Sequence, residues 1–313
     1  MKETPKGKEV DNLLNERDGL RHVLGADATT VAYEVAGATG HGATAVPIVC
    51  LHGSLSNRFA FRKVRPVLAG SGRGLVLTVL RGHDEPGTAR PGEDLSGAGV
   101  FPADSGVFPE NYGLATTEVA DLLAVLDNEE LERVDVVAHS TGGAVAVALA
   151  VRHPQRVRRL VLIEPTLLPL LEGEMAERVG VDTAAIVAAA VGGEEIDALS
   201  RLLDFIGGTA WRASHESDRQ RVLQSLSPLA PLVGPHVRAL AGLGVTAADV
   251  ASLAAPTLLM YGEQSAYFEA SIAARVAQIR PDLGQLHIAE AGHNAHLERP
   301  DVVGPAAAAF LDQ

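Results

Sequence analysis

One run constrains what this chain can fold into more than any other: Val136-Val137-Ala138-His139-Ser140-Thr141-Gly142-Gly143. Its first half is short and apolar, which reads as a buried strand. Its second half opens an Ala/Val-rich stretch, residues 142–152, with the composition of a buried helix. Small residues at Ala138 and Gly142 let the backbone reverse sharply between the two. Such a turn leaves Ser140 at its tip, with the N–H groups and positive dipole end of the helix behind it. The plainer alternative is an ordinary strand-to-helix turn of some other α/β fold.

The rest of the chain alternates in the same way. Alternation predicts a strand over residues 29–35, apolar runs predict strands over 45–51 and 74–80, and further strands are read over 133–138, 157–163, 257–261 and 285–289. Helical spacing is seen over 59–68, 116–126, 142–152 and 302–311. Residues 165–253 show only helix-like stretches broken by Gly and Pro. Strands alternating with helices predict a mostly parallel sheet covered on both faces, and the helical block predicts a cap inserted over one end. The expected division is an N-terminal tail over 1–24, a core over 25–164 and 254–313, and a cap over 165–253. Motifs at the carboxyl ends of the strands are then the candidates for chemistry.

Composition narrows the classes of function. The net charge of −13 argues against nucleic acid and anionic membrane as partners, since both would repel such a surface. The charge says nothing about the fold, and the oligomeric state is not legible in the sequence. The single cysteine, Cys50, lies in an apolar run and is expected to be a small core residue. Residues 1–21 are polar with no apolar core, so no secretory leader is expected. No uninterrupted apolar stretch is long enough to span a bilayer, so no membrane span is expected, and a cytoplasmic location follows by default.

At Ser140 the sequence resembles the α/β-hydrolase family, whose nucleophile elbow reads Gly-x-Ser-x-Gly; here Ala138 stands for the first glycine. Three further segments carry the resemblance. Leu51-His52-Gly53-Ser54 is similar to the family's HG oxyanion loop, which implies the backbone N–H groups of Ser54 and Thr141 as the oxyanion hole. Arg81-Gly82-His83 is similar to the RGHG turn, though Leu80 stands where an aspartate usually precedes the arginine. We read this turn as structural and His83 as a loop histidine. Ala291-Gly292-His293, followed by His296-Leu297-Glu298-Arg299-Pro300, resembles the segment that carries the general base. His293 is the candidate base, and His296, a turn later, is expected to pack or cap.

The resemblance covers roughly residues 25–312, with the cap matched least. It implies the α/β-hydrolase fold and a serine nucleophile. The sequence has no cluster with metal-ligand spacing and no Gly-rich phosphate loop before a helix, so no cofactor or metal is expected. Epoxide hydrolases and haloalkane dehalogenases of this fold need an aspartate nucleophile, which Ser140 is not. A serine with an oxyanion hole implies acyl transfer to water from an ester, lactone, thioester or amide. Biosynthetic enzymes without net hydrolysis, and ligand receptors, also occur on this fold.

The triad's acid departs from the family pattern. Most members place an aspartate after the strand that follows the cap, and here that position holds Ser265. Two glutamates are alternatives. Glu164 follows the apolar run Leu160-Val161-Leu162-Ile163, a strand end from which zearalenone-type lactonases and certain haloalkane dehalogenases take their acid. Glu263 lies beside Ser265. Glu164 is the preferred candidate, although an acidic residue there can be purely structural.

The substrate is less legible. Aromatic residues make up only 4% of the chain, yet Phe101, Phe108 and Tyr112 fall in the long Gly/Pro-rich segment after the strand at 74–80. Phe59 lies near the oxyanion loop, and Trp211 with Phe205 and Gly207-Gly208 lies in the cap. Together these predict an apolar pocket wall for a hydrophobic small molecule. Anchoring of a long loop and packing of cap helices would use the same residues.

Overall fold

The computed structural model describes residues 20–39, 45–83, 108–109 and 111–313. Among the described residues, eight strands form one sheet in the order β1-β2-β4-β3-β5-β6-β7-β8. They are β1 (Leu20–Leu24), β2 (Thr30–Ala36), β3 (Ile48–Leu51), β4 (Leu75–Thr78), β5 (Val134–His139), β6 (Val157–Ile163), β7 (Thr257–Gly262) and β8 (Gly284–Ile288). β1 and β2 pair antiparallel, β2 joins β4 antiparallel, and the remaining pairs are parallel. The inner strands β3 to β5 are buried at every position, as expected for strands covered on both faces.

Period-two alternation sends those side chains to two cores. Ile48, Cys50, Leu75, Leu77, Val137, Val161 and Met260 face one core with the C-terminal helix residues Val303 and Leu311. Val49, Leu51, Val76, Val136, Leu160, Leu162 and Leu259 face the other. There they meet α1 (Val119–Asn128) and α2 (Thr141–Arg152) through Leu122, Leu126, Val145 and Leu149. Cys50 is a small buried core residue, and burial pushes its thiol up to about 12, which makes it inert as a nucleophile.

Between β6 and β7 the chain is helical. It forms α3 (Gly173–Val191), α4 (Glu195–Ile206), α5 (Gly208–Ala213), α6 (Glu216–Leu226), α7 (Ala230–Ala241) and α8 (Ala247–Ala251). α4 buries Ala198, Leu199, Leu202, Leu203 and Phe205, one stripe of a 3.6-residue period, against α3 and α7. After β7 come α9 (Glu269–Ile279) and, beyond β8, α10 (Pro300–Leu311). Among the described residues no helix is long and apolar enough to cross a membrane.

Two expectations are corrected. Residues 20–24, grouped above with the tail, form the edge strand β1; its neighbour β2 supplies the pairing that the short, largely exposed segment LRHVL does not announce by itself. Residues 59–68 are not one helix. A 3-10 turn, Arg58–Phe61, is followed by a single α turn, Arg65–Leu68, because Pro66 has no N–H to continue a helix through it.

β4 lies on one side of β3 and β5 on the other, so the strand order reverses between β3 and β5. The carboxyl ends of these two strands, at Leu51 and His139, therefore lie side by side at the switch point where such sheets bind ligands.

Candidate active site

Beyond the end of β5 the backbone of Ser140 adopts φ 52° and ψ −122°. This left-handed conformation costs a non-glycine residue about 1–3 kcal/mol and persists only where packing over-determines it. Three glycines provide that packing. A Cβ at Gly142 would lie 2.5 Å from the carbonyl oxygens of Leu51 and His52, and one at Gly143 would lie 2.7 Å from Pro165 Cβ. A Cβ at Gly53 would lie 2.8 Å from Ser140 Cβ. The elbow is thus wedged between the β3 loop and the β6 loop with no room for larger residues.

The structure brings Ser140, His293 and Glu164 together. Ser140 Oγ is 2.9 Å from His293 Nε2 and 3.1 Å from Thr166 Oγ1. His293 follows β8, and its backbone carbonyl accepts a hydrogen bond from His139 Nε2 at 2.8 Å. His293 Nδ1 lies 3.5 Å from Glu164 Oε2, the outer edge of hydrogen-bond reach. Catalytic hydrogen bonds in ligand-free sites are often this long. Glu164 is fully buried, and its own backbone is left-handed at φ 50°. Its N–H donates to Met260 O, which aims the side chain across β7.

Ser265 has a role that sequence reasoning missed. Its hydroxyl donates to Glu164 Oε1 at 2.6 Å, and the Gly262 N–H donates to the same oxygen. The residue in the family's aspartate position therefore holds the carboxylate that stands in for it. Glu263 is turned away, and its Oε2 accepts an exposed bond from the Glu290 N–H at 3.2 Å.

A second carboxyl was not anticipated either. Glu269 opens α9 and is 2% exposed, with Oε1 4.0 Å from His293 Nδ1. Burial, and then the charge of Glu164, hold it well above the usual carboxylate range. Only its apolar flank, Tyr267-Phe268 before and Ile272 after, marks it in the sequence. Ligand atoms of Glu164, Glu269 and His293 lie within 4.8 Å of one another, a spacing a cation can use. They are also the atoms that would orient the histidine, so a cation there would compete with that role.

On the other side of Ser140, Ser54 Oγ is 2.8 Å from Thr141 Oγ1, so the two expected oxyanion-hole residues are neighbours. Thr141 is the first residue of α2, where N–H groups have no intrahelical acceptor. Buried histidines brace this loop. His52 Nε2 accepts from the Leu80 N–H and its Nδ1 donates to Gly53 O. His83 Nε2 accepts from the Leu55 N–H at 3.2 Å while Nδ1 faces the Leu80 and Arg81 carbonyls. Burial pushes His52 down to about 3 and His83 to about 4, so both stay neutral. Arg81 is held by Asp121 and Asp27, in keeping with a structural turn. His296 packs its ring 4.3 Å from His139.

The expected pocket residues separate. Phe108 and Tyr112 pack edge to face at 4.8 Å and gather around His236 of α7, at 5.7 and 5.8 Å. His236 Nδ1 is 3.0 Å from Ser54 Oγ, which ties the cap to the oxyanion loop. No periodicity or motif in the sequence singled out His236. Phe101 lies outside the described residues. Phe59 is half-buried, with the Arg58 guanidinium 4.4 Å above its ring. Trp211 donates from its indole N–H to Asp204 at 2.8 Å, and Phe205 stacks on Phe268 at 4.6 Å. The contacts of Phe59 and Trp211 are thus with their own neighbourhoods. Gly207-Gly208 serves docking: Thr209 N–H donates to Gln264 O, and a Cβ at Gly208 would collide with that carbonyl.

Residues 48–306 match the alpha/beta hydrolase family. The 2-hydroxymuconate semialdehyde hydrolase of Pseudomonas putida is 28% identical over 193 residues, 58% of this chain and 64% of that protein. The carboxylesterase YbfK of Bacillus subtilis is 28% identical over 195 residues, 60% of each chain. The matched stretches span 24%, 40% and 64% of the lengths of the first three curated relatives. A solved hydrolase from Pseudomonas aeruginosa PA01 superposes with TM-score 0.67 at 21% identity, covering 95% of this chain and 100% of the other, a likeness of fold.

Proposed function

Because the chain belongs to the alpha/beta hydrolase family, we propose that it is a serine hydrolase, needing no cofactor, that cleaves a carboxylic ester, lactone or thioester of an apolar small molecule through an acyl-enzyme. The observation that carries this is the Ser140 Oγ to His293 Nε2 distance of 2.9 Å at a strained strand-to-helix turn. In this reading His293 takes the Ser140 proton as Oγ attacks the carbonyl carbon. Glu164, behind Nδ1, holds the ring's tautomer and offsets the imidazolium that forms. The N–H groups of Ser54 and Thr141 receive the oxyanion. His293 then protonates the leaving group, and a water repeats the sequence to release the acid.

The names of the relatives favour a second reading of the carbonyl. Two relatives are named for a semialdehyde and for a 2-hydroxy-6-oxo-dienoate, which carry no ester, whereas a third is named a carboxylesterase. Turnover of p-nitrophenyl esters set against a 2-hydroxy-6-oxo-dienoate separates them. The ester reading expects the esters to be the better substrates by kcat/KM. Turnover of the dienoate alone would move the reaction to carbon–carbon cleavage.

The apolar character of the substrate rests on Phe108 and Tyr112 beside His236. Phe108→Ala is expected to raise KM for p-nitrophenyl decanoate about fivefold or more and to change KM for the acetate less than about twofold, the pattern of lost uniform binding. Equal losses on both esters would remove Phe108 from the pocket wall. Tyr112 is the poorer test, because its hydroxyl also donates to buried Glu118 at 2.6 Å.

A further inference from the structure

Three buried polar atoms converge behind the candidate base without a hydrogen-bond partner among the described residues: His293 Nδ1, Glu164 Oε2 and Glu269 Oε1. Nδ1 lies 3.5 Å from the first carboxyl and 4.0 Å from the second. All three fall within 4.8 Å of one another, in a space whose walls are 0% to 8% exposed. Two carboxylates so close and so dry cannot both be charged. The donors decide which one is. Glu164 Oε1 accepts from the Ser265 hydroxyl and the Gly262 N–H, which stabilise its anion. Glu269 Oε1 has no hydrogen-bond donor among the described residues; Glu164 and His293 face it, with His139 beyond the His293 ring at 4.9 Å between centroids.

We infer that the triad's acid is a pair of carboxyls sharing one negative charge, with Glu164 ionised and Glu269 a neutral positioning partner that turns its proton toward Glu164 and becomes the carboxylate when Glu164 is lost. This rests on the serine-hydrolase reading above and deepens it. When Glu164 is replaced by Gln, the new amide carbonyl can still accept from Ser265 and Gly262. The amide NH2 then occupies the place of Oε2 and points at Glu269, a donor that favours the charged form of Glu269. The charge next to His293 moves from one side of Nδ1 to the other.

The two positions are therefore coupled, and p-nitrophenyl acetate turnover by wild type, Glu269→Gln, Glu164→Gln and the double variant measures it. In the wild-type background Glu269→Gln is expected to lower kcat about threefold, since an amide still donates to Glu164. In the Glu164→Gln background the same substitution is expected to lower kcat about thirtyfold or more, since it removes the remaining carboxylate. The pH profile of Glu164→Gln alone gives a reading with position 269 untouched. Its activity needs Glu269 deprotonated; loss of the Glu164 charge eases that, but burial, the larger of the two causes that raise this carboxyl, remains. Its acid limb in kcat/KM is therefore displaced to higher pH than in wild type. Equal factors in both backgrounds, or an unmoved acid limb in Glu164→Gln, would overturn the inference and leave the serine-hydrolase reading standing. Undiminished turnover by Ser140→Ala would instead remove that reading itself.

Discussion

Ser140→Ala is expected to lower kcat for p-nitrophenyl acetate by about 10⁴-fold, with the fold intact. The size follows from the way the site is built. The nucleophile, its base and the acid behind the base act as a unit, so removing the attacking atom leaves only what binding and the oxyanion hole contribute. A loss of about 10⁴ corresponds to about 5.5 kcal/mol of transition-state stabilisation. The fold should tolerate the change because the hydrogen bonds of Ser140 Oγ among the described residues are to His293 and Thr166, and alanine keeps the Cβ that lies against Gly53. Circular dichroism and the thermal midpoint check that, and relief of the side chain's polar burial can even raise the midpoint slightly. Activity within tenfold of wild type is incompatible with an acyl-enzyme at this residue.

Glu164→Gln is expected to lower kcat by about 10³-fold. Gln has the same shape and retains both bonds on the Oε1 side, from Ser265 and Gly262, so the geometry survives. What is lost is the charge that compensates the imidazolium and the acceptor that holds the proton on Nδ1. The residual rate is the part Glu269 supplies. Glu263→Gln, by contrast, is expected to change kcat less than about tenfold, because Glu263 is engaged with the exposed Glu290 N–H. Ser265→Asp in the Glu164→Gln background should recover part of the lost rate, since a carboxylate there replaces a hydroxyl only 2.6 Å from the lost group's position. Steady-state kinetics on the four proteins tests the set. An effect of Glu263→Gln larger than that of Glu164→Gln contradicts the assignment of the acid.

What the sequence revealed, and what it hid, follows from how local each determinant is. The elbow was legible because a tight strand-to-helix turn excludes all but small residues at fixed offsets, and those offsets are written in Ala138, Gly142 and Gly143. β6 was legible because its buried end, Leu160-Val161-Leu162-Ile163, reads as an apolar run, although two half-buried arginines, Arg158 and Arg159, precede it. β1 was not: an edge strand with a half-exposed pattern needs little apolar signal and takes its pairing from β2.

The site shows the same division. Ser140, His293 and Glu164 stand at strand ends, where topology alone brings them together. Ser265 was misjudged because sequence reasoning asked whether it could carry charge, while the fold uses it as a donor to the carboxylate that does. Glu269 and His236 sit on helices, and what makes them notable is burial beside groups distant in sequence. Propensity and spacing carry no trace of that.

The central claim is that a covalent acyl-enzyme forms on Ser140. Intact-protein mass spectrometry after brief exposure to a fluorophosphonate, followed by peptide mapping, tests it most directly. The account predicts one adduct per chain, mapped to the peptide bearing Ser140, absent in Ser140→Ala and formed more slowly in His293→Ala. An adduct on another residue, or none under conditions where ester turnover proceeds, would contradict it.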